Sequence, residues 1–168
     1  VSYVHATDVY HPLIQSLQQD ELYVANDLEL NNKDGPMGIL LYGTNAVGKT
    51  SYIKSIGIAI IMAQAGLFAP SSSMKFKPYK NIMTRILGND NILKGLSTFA
   101  VEMIELRTIL KMADQNSLIL GDELCSGTEI DSAKSIFVAG LKWLYAKKSS
   151  FIFATHLHEI ANYDEVKE

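Results

Sequence analysis

The hydrophobic and polar positions change period several times along the chain, and each change marks an element. The apolar run "GILLY" (38–42), entered from the polar turn "NNKDGP", reads as a buried strand. Residues Thr50 to about Ala65 run too long for a strand and are apolar nearly all round, through Ile53, Ile56, Ile58, Ile60 and Ile61. That pattern predicts a buried helix packed against a sheet. From Ser97 to about Ala113, Phe99, Met103, Leu106 and Leu110 recur at helical spacing, with Ser97 placed as an N-cap and Glu102 and Glu105 toward the positive end of the dipole. "SLILGDE" reads as a strand tipped by two acids. Ile130, Ala133, Ile136, Phe137, Leu141 and Leu144 trace one face of another helix, and "SSFIFATH" reads as the last strand. Upstream, "ELYVANDLEL" suggests short strands broken at Asn26-Asp27. The segment "APSSSMKFKP" (69–78), with its two prolines and three serines, reads as a loop.

Strands alternating with helices imply an α/β fold: a mostly parallel central sheet flanked by helices, with its ligand site at the carboxyl ends of the strands. At 168 residues the chain suits a single domain spanning 1–168. The longest apolar stretch, "IGIAIIMAQAGLFA", is interrupted by Gln64 and Gly66 and is too short for a membrane span. One cysteine, Cys125, excludes an internal disulfide and fits an intracellular setting. The net charge of −3 gives the surface no general bias toward nucleic acid.

The chemistry concentrates at the expected strand ends. In "GTNAVGKTS", Gly43 and Gly48 permit a loop that turns several N–H groups inward at a helix N-terminus. The whole stretch Gly43, Thr44, Asn45, Ala46, Val47, Gly48, Lys49, Thr50 and Ser51 is therefore a phosphate cradle. Lys49 bridges terminal phosphates, and Thr50 ligates Mg²⁺ through its hydroxyl. Asp122 completes the Mg²⁺ site, and Glu123 is placed to orient and deprotonate an attacking water. A glutamate directly after the metal aspartate favours a hydrolytic ATPase over a kinase. The GTP-selecting Asn-Lys-x-Asp is missing, so ATP/ADP is the expected nucleotide. His156, at the end of the last strand, is a candidate γ-phosphate sensor. The nearby His158 has no cysteine or third histidine beside it to make a zinc site.

Taken in order, "YHPLI", "YVANDLEL", "GTNAVGKTSYI", "AQAGLFAP", "RILGNDNILKGLSTFAVEM", "LILGDELCSGTE" and "FATHLHEI" resemble the C-terminal ATPase domain of MutS, the DNA mismatch-recognition family within the ABC-type P-loop ATPases. The resemblance covers nearly the whole chain. It implies that Asn45 senses the terminal phosphate and that Tyr23 and Val24 pack against adenine. It implies that Ser97 reaches the nucleotide of a second ATPase domain in a dimer, a homodimer being favoured over pairing with a paralogue, and that His156 is the switch histidine. "CSGTE" falls at the family's dimer-interface loop. The resemblance further implies that mismatched DNA is gripped by other domains of a longer protein, of which this chain looks like an excised part.

Thr44, Ala46, Val47, Thr50 and Ser51 depart from the family's usual Gly-Pro-Asn-Met-Gly-Gly-Lys-Ser-Thr loop. With "ELCSGTEIDSA" they resemble the divergent branch of large DNA viruses and coral mitochondria, which implies a viral replication site in the cytoplasm or a mitochondrion as location. Two other readings stay open from the sequence. One is a nucleotide-dependent dimerisation module with negligible turnover; the other is a different DNA-linked ABC-type ATPase, disfavoured by the lack of an "LSGGQ"-like signature.

Overall fold

In a computed structural model the chain is described over residues 1–17, 23–43, 48–86, 98–122, 129–163 and 166. Two sheets organise it. Strands β3 (Gly38–Leu41), β5 (Asn81–Arg85), β6 (Ser117–Asp122) and β7 (Ser150–Ala154) form a parallel sheet in the order β3-β7-β6-β5. Strands β1 (Tyr3–Val9), β2 (Asn26–Leu30) and β4 (Ser73–Lys77) form an antiparallel sheet in the order β2-β1-β4. The helices are α1 (Pro12–Leu17), α2 (Lys49–Gln64), α3 (Thr98–Met112) and α4 (Ile130–Ala146), with a 3₁₀ turn at His158–Asn162.

Side chains along β6 and β7 alternate between two cores. Leu118, Leu120, Ile152 and Ala154 pack with Ile53, Ile56, Ala59 and Ile60 of α2 and with Val4, Ala6, Leu28 and Leu30 of the antiparallel sheet. Ile119, Phe151 and Phe153 pack on the other side with Ile109 of α3 and Phe137, Leu141 and Leu144 of α4. Every residue of β6 is buried, as a strand covered on both faces requires. Helix α2 shares one apolar cluster with both sheets, which accounts for its lack of a polar face, although Ile61 is exposed.

The antiparallel sheet was not foreseen. Residues 69–78 are not a continuous loop, because Ser73–Lys77 is strand β4, paired with β1 in register Val4↔Phe76 and Ala6↔Met74. Its residues alternate between half-buried and exposed, a two-faced pattern in only five residues that the surrounding prolines and serines obscured. Asn26-Asp27 does not break a strand but opens β2, and the Asp27 carboxylate accepts the Asp8 backbone N–H at 3.0 Å. Strand β5 also escaped notice. Helix α3 begins at Thr98, and the proposed cap Ser97 lies outside the described residues. Glu102 is not at the helix entrance but buried, and Glu105 pairs with Arg85 of β5 at 2.9 Å. In α4 the outlying Ile130 is exposed.

Two devices join the layers. The Gln64 side chain accepts the Tyr79 N–H at 2.7 Å and donates to the Tyr79 carbonyl at 3.1 Å, fastening the end of α2 to the approach to β5. The Tyr79 hydroxyl donates to Ser150 Oγ at 2.9 Å inside the core. Gly38 lies under the Phe151 ring so closely that an added Cβ would sit 2.0 Å from a ring carbon.

Burial pushes the Tyr79 phenol up to about 12, although its bond to Ser150 pulls the other way. The neutral form is favoured in the fold, so this contribution is complete below pH 10, the unfolded value. Between pH 10 and 12 the unfolded chain ionises first and stability falls. In urea titrations across that range, Tyr79→Phe should lose less stability than the parent, by up to about 2–3 kcal/mol.

Candidate nucleotide site

The register of the parallel sheet sets the site. Leu41 of β3 aligns with Ala154 of β7, and Ala154 aligns with Asp122 of β6. Three strand tips therefore stand in one row spanning roughly 10 Å across the sheet. Gly43 follows the first tip by two residues and His156 follows the second by two, while Asp122 is itself the third. The Thr155 N–H donates to the Leu41 carbonyl at 3.1 Å, extending the alignment past the regular strands.

Helix α2 starts in this row. Gly48, its N-cap, has φ of 93°, a left-handed conformation that disfavours any side chain, and a Cβ there would meet open space. The requirement for glycine is thus one of backbone conformation rather than packing. The Gly48 carbonyl accepts the Tyr52 N–H at 2.8 Å, which begins the helical ladder. Lys49 and Thr50 stand on the first turn, where unpaired N–H groups and the helix dipole favour an anion. Lys49 Nζ donates to the Gly43 carbonyl at 2.6 Å, curling back over the mouth of the loop. The Thr50 hydroxyl donates to Asp122 Oδ2, joining the start of α2 to the tip of β6. Asp122 is only 5% exposed, so this hydroxyl partners a carboxylate that is nearly withdrawn from water.

Gly43, Gly48, Lys49, Thr50 and Asp122 are thus brought together as expected. Ser51 is half-buried on the same turn of α2. Thr44, Asn45, Ala46 and Val47, the middle of the loop, lie outside the described residues, as do Glu123 and Ser97. His156 is exposed just beyond β7. Tyr23 is half-buried, and its hydroxyl accepts the His11 N–H at 2.9 Å, so its ring is anchored at the far end. Val24 is 70% exposed.

One ion pair was not picked out by pattern reasoning. Lys134 of α4 pairs with Glu159 of the 3₁₀ turn and with Asp131 at 3.6 Å, tying α4 to the segment that carries His156. The Glu159 carboxylate raises the Lys134 pKa above its ordinary value. Glu159 is far from Lys134 in the chain, so only the fold reveals the pair. No helix among the described residues is long and apolar enough to cross a membrane. Nor do they contain a group of three or more His, Cys, Asp or Glu side chains suited to a metal.

Residues 39–168 match the family described as MutS domain V. The chain belongs to that family. It is 40% identical over 160 residues to the mitochondrial DNA mismatch repair protein mutS homolog of Sarcophyton glaucum, covering 95% of this chain and 16% of that protein. A DNA mismatch repair mutS homolog of Acanthamoeba polyphaga mimivirus is 40% identical over 199 aligned positions, covering 99% and 18%. The DNA mismatch repair protein MutS of Prochlorococcus marinus (strain NATL2A) is 40% identical over 162 residues, covering 96% and 17%. This MutS domain V chain therefore spans less than a fifth of the length of these relatives.

The Thr50–Asp122 contact has a measurable consequence without any ligand. Thr50→Val removes the donor while nearly preserving shape, leaving a buried carboxylate oxygen without that partner. Urea unfolding should show a loss of about 1–3 kcal/mol, and Thr50→Ser should retain most of the stability.

Proposed function

We propose that this chain is the nucleotide-binding and hydrolysing head of a MutS-type mismatch repair protein, binding ATP and ADP with Mg²⁺ in a P-loop of the ABC-type ATPases. The observation that carries the reading is the Thr50 hydroxyl on the Asp122 carboxylate, beside a lysine that starts the same helix. A hydroxyl and a carboxylate are hard oxygen donors suited to Mg²⁺, and the Lys49 ammonium with the α2 N-terminus suits a polyphosphate. The donor set therefore fits both groups.

Thr50 and Asp122 would hold the cation, which, when bound, neutralises charge developing on the phosphate oxygens. Lys49 would exchange its bond to Gly43 for the terminal phosphates, and the backbone from Gly43 to Ser51 would line the phosphate chain. Glu123, one residue beyond the strand tip, would take a proton from the attacking water at its carboxylate. Asn45 and His156 would contact the terminal phosphate and register its loss. Tyr23 would offer its ring to adenine beside Val24. A second copy would close over the site and contribute Ser97 to the opposite nucleotide.

In the longer protein, this exchange would drive clamp movement on mismatched DNA held by other domains. The mitochondrial and viral relatives make an organelle or a viral replication site the settings to examine.

Glu123→Gln should keep ATP affinity while slowing phosphate release by about 10²- to 10⁴-fold. Turnover at the parent rate would remove Glu123 from the role of base. Lys49→Ala should weaken nucleotide binding by about 10- to 100-fold in a titration. The specific hydrolysis rate should rise with protein concentration, because each site needs a second copy; a rate constant across a wide range would contradict shared sites.

A further inference from the structure

Helices α3 and α4 leave a groove on their outer side, lined by Met103, Leu106, Arg107, Leu110, Lys111 and Trp143, with a volume of about 450 Å³. Along α3 the lining runs for roughly 12 Å, about two helical turns. Both helices enter from the carboxyl ends of the strands, and Leu110, Lys111 and Trp143 lie toward their far ends. The groove thus runs away from the row of strand tips at the candidate nucleotide site.

Its floor is preorganised. The Trp143 Nε1–H donates to the Leu110 carbonyl at 3.0 Å, so the indole is pinned across the two helices while it remains 52% exposed. With its only polar atom satisfied, the open part of the ring is a fixed apolar platform. Lys147 sits over that ring at 5.6 Å from its centre. Ile104, next to Lys111 around the helix, is also more than half exposed.

The charged residues that line this groove are both cationic, and a carboxylate, that of Asp114, lies within electrostatic reach of Lys147. Arg107 and Lys111 rise from its wall and Lys147 caps the indole, while no carboxylate is among the lining residues. This local balance opposes the net charge of −3 on the whole chain. We propose that the groove is a docking site for an acidic amphipathic helix of another protein, with apolar side chains seated on Leu106, Leu110 and Trp143 and carboxylates facing Arg107 and Lys111. A groove between helices, two turns long and rimmed by cations, selects both the shape and the charge of that occupant. The proposal is independent of the nucleotide reading, since none of these residues belongs to that site.

Trp143 is the chain's only tryptophan, so its emission reports directly on the groove. The experiment titrates the chain with a synthetic helical peptide bearing leucines on one face and glutamates along both sides. Its lysine-for-glutamate counterpart and single-stranded oligothymidylate serve as parallel probes. A saturable blue shift with the glutamate peptide alone is expected, with affinity lowered at least about tenfold in the double variant Arg107→Glu/Lys111→Glu. Circular dichroism checks that variant's fold, and Arg107→Ala/Lys111→Ala provides the same comparison if the reversal disturbs it. Equal binding of both peptides, absence of a saturable shift, stronger binding of oligothymidylate, or a shift driven by the chain's own concentration would each overturn the proposal. The last two would assign the groove to nucleic acid or to a second copy.

Discussion

Burial of β6 on both faces is the constraint from which the rest of the domain follows. A strand with no solvent-facing side must be apolar throughout, must be paired along both edges, and can present polar chemistry only at its ends. Asp122 occupies such an end. The neighbouring parallel strands fix its height relative to Ala154 and Leu41, so the loop before α2, the acidic tip and the segment bearing His156 emerge side by side. The Thr50–Asp122 bond then locks the angle at which α2 leaves the sheet. Geometry suited to a charged ligand thus arises from strand register before any ligand contributes energy.

Much of this framework was legible in the residues. The parallel strands around "GILLY", "SLILGD" and "SSFIFA" are short apolar runs bounded by polar turns, and α2 and α4 are long enough for period to distinguish them from strands. That Lys49, Thr50 and Asp122 come together was legible because local spacing and strand context place all three at one end of the sheet. The antiparallel sheet was harder to see. Tyr3–Val9 pairs with residues around 28 and 75, and such distant partners leave no local signature. Ser73–Lys77 was hidden by its surroundings, and Glu102 looked like a dipole charge although the fold buries it. Lys134 and Glu159 are individually unremarkable surface types and acquire meaning only from their pairing.

The all-round apolar character of α2 links the two sheets. A helix on one face of an open sheet ordinarily keeps a polar outer stripe, whereas α2 packs in the same cluster as β1, β2 and the parallel strands. The antiparallel sheet therefore has a structural task even apart from any contact of Tyr23 with a ligand: it covers the second side of the helix whose first turn carries Lys49 and Thr50. The Gln64 amide adds a polar anchor at the opposite end of α2 by pairing with both backbone groups of Tyr79. The helix is constrained at both ends, which limits tilting of its N-terminus.

The close approach of Gly38 to Phe151 has a consequence for divergence within the fold. These residues are register partners on β3 and β7, and the aromatic ring occupies the space that any side chain at 38 would require. Sequence change at either position is therefore conditional on the other. A larger residue at 38 becomes acceptable only after the ring at 151 has been lost, and losing the ring first opens a void in the core shared with Phe153 and Phe137. The intermediate step is unfavourable in both orders, so the pair behaves as a single inherited unit that restrains drift at the edge strand leading into the candidate site.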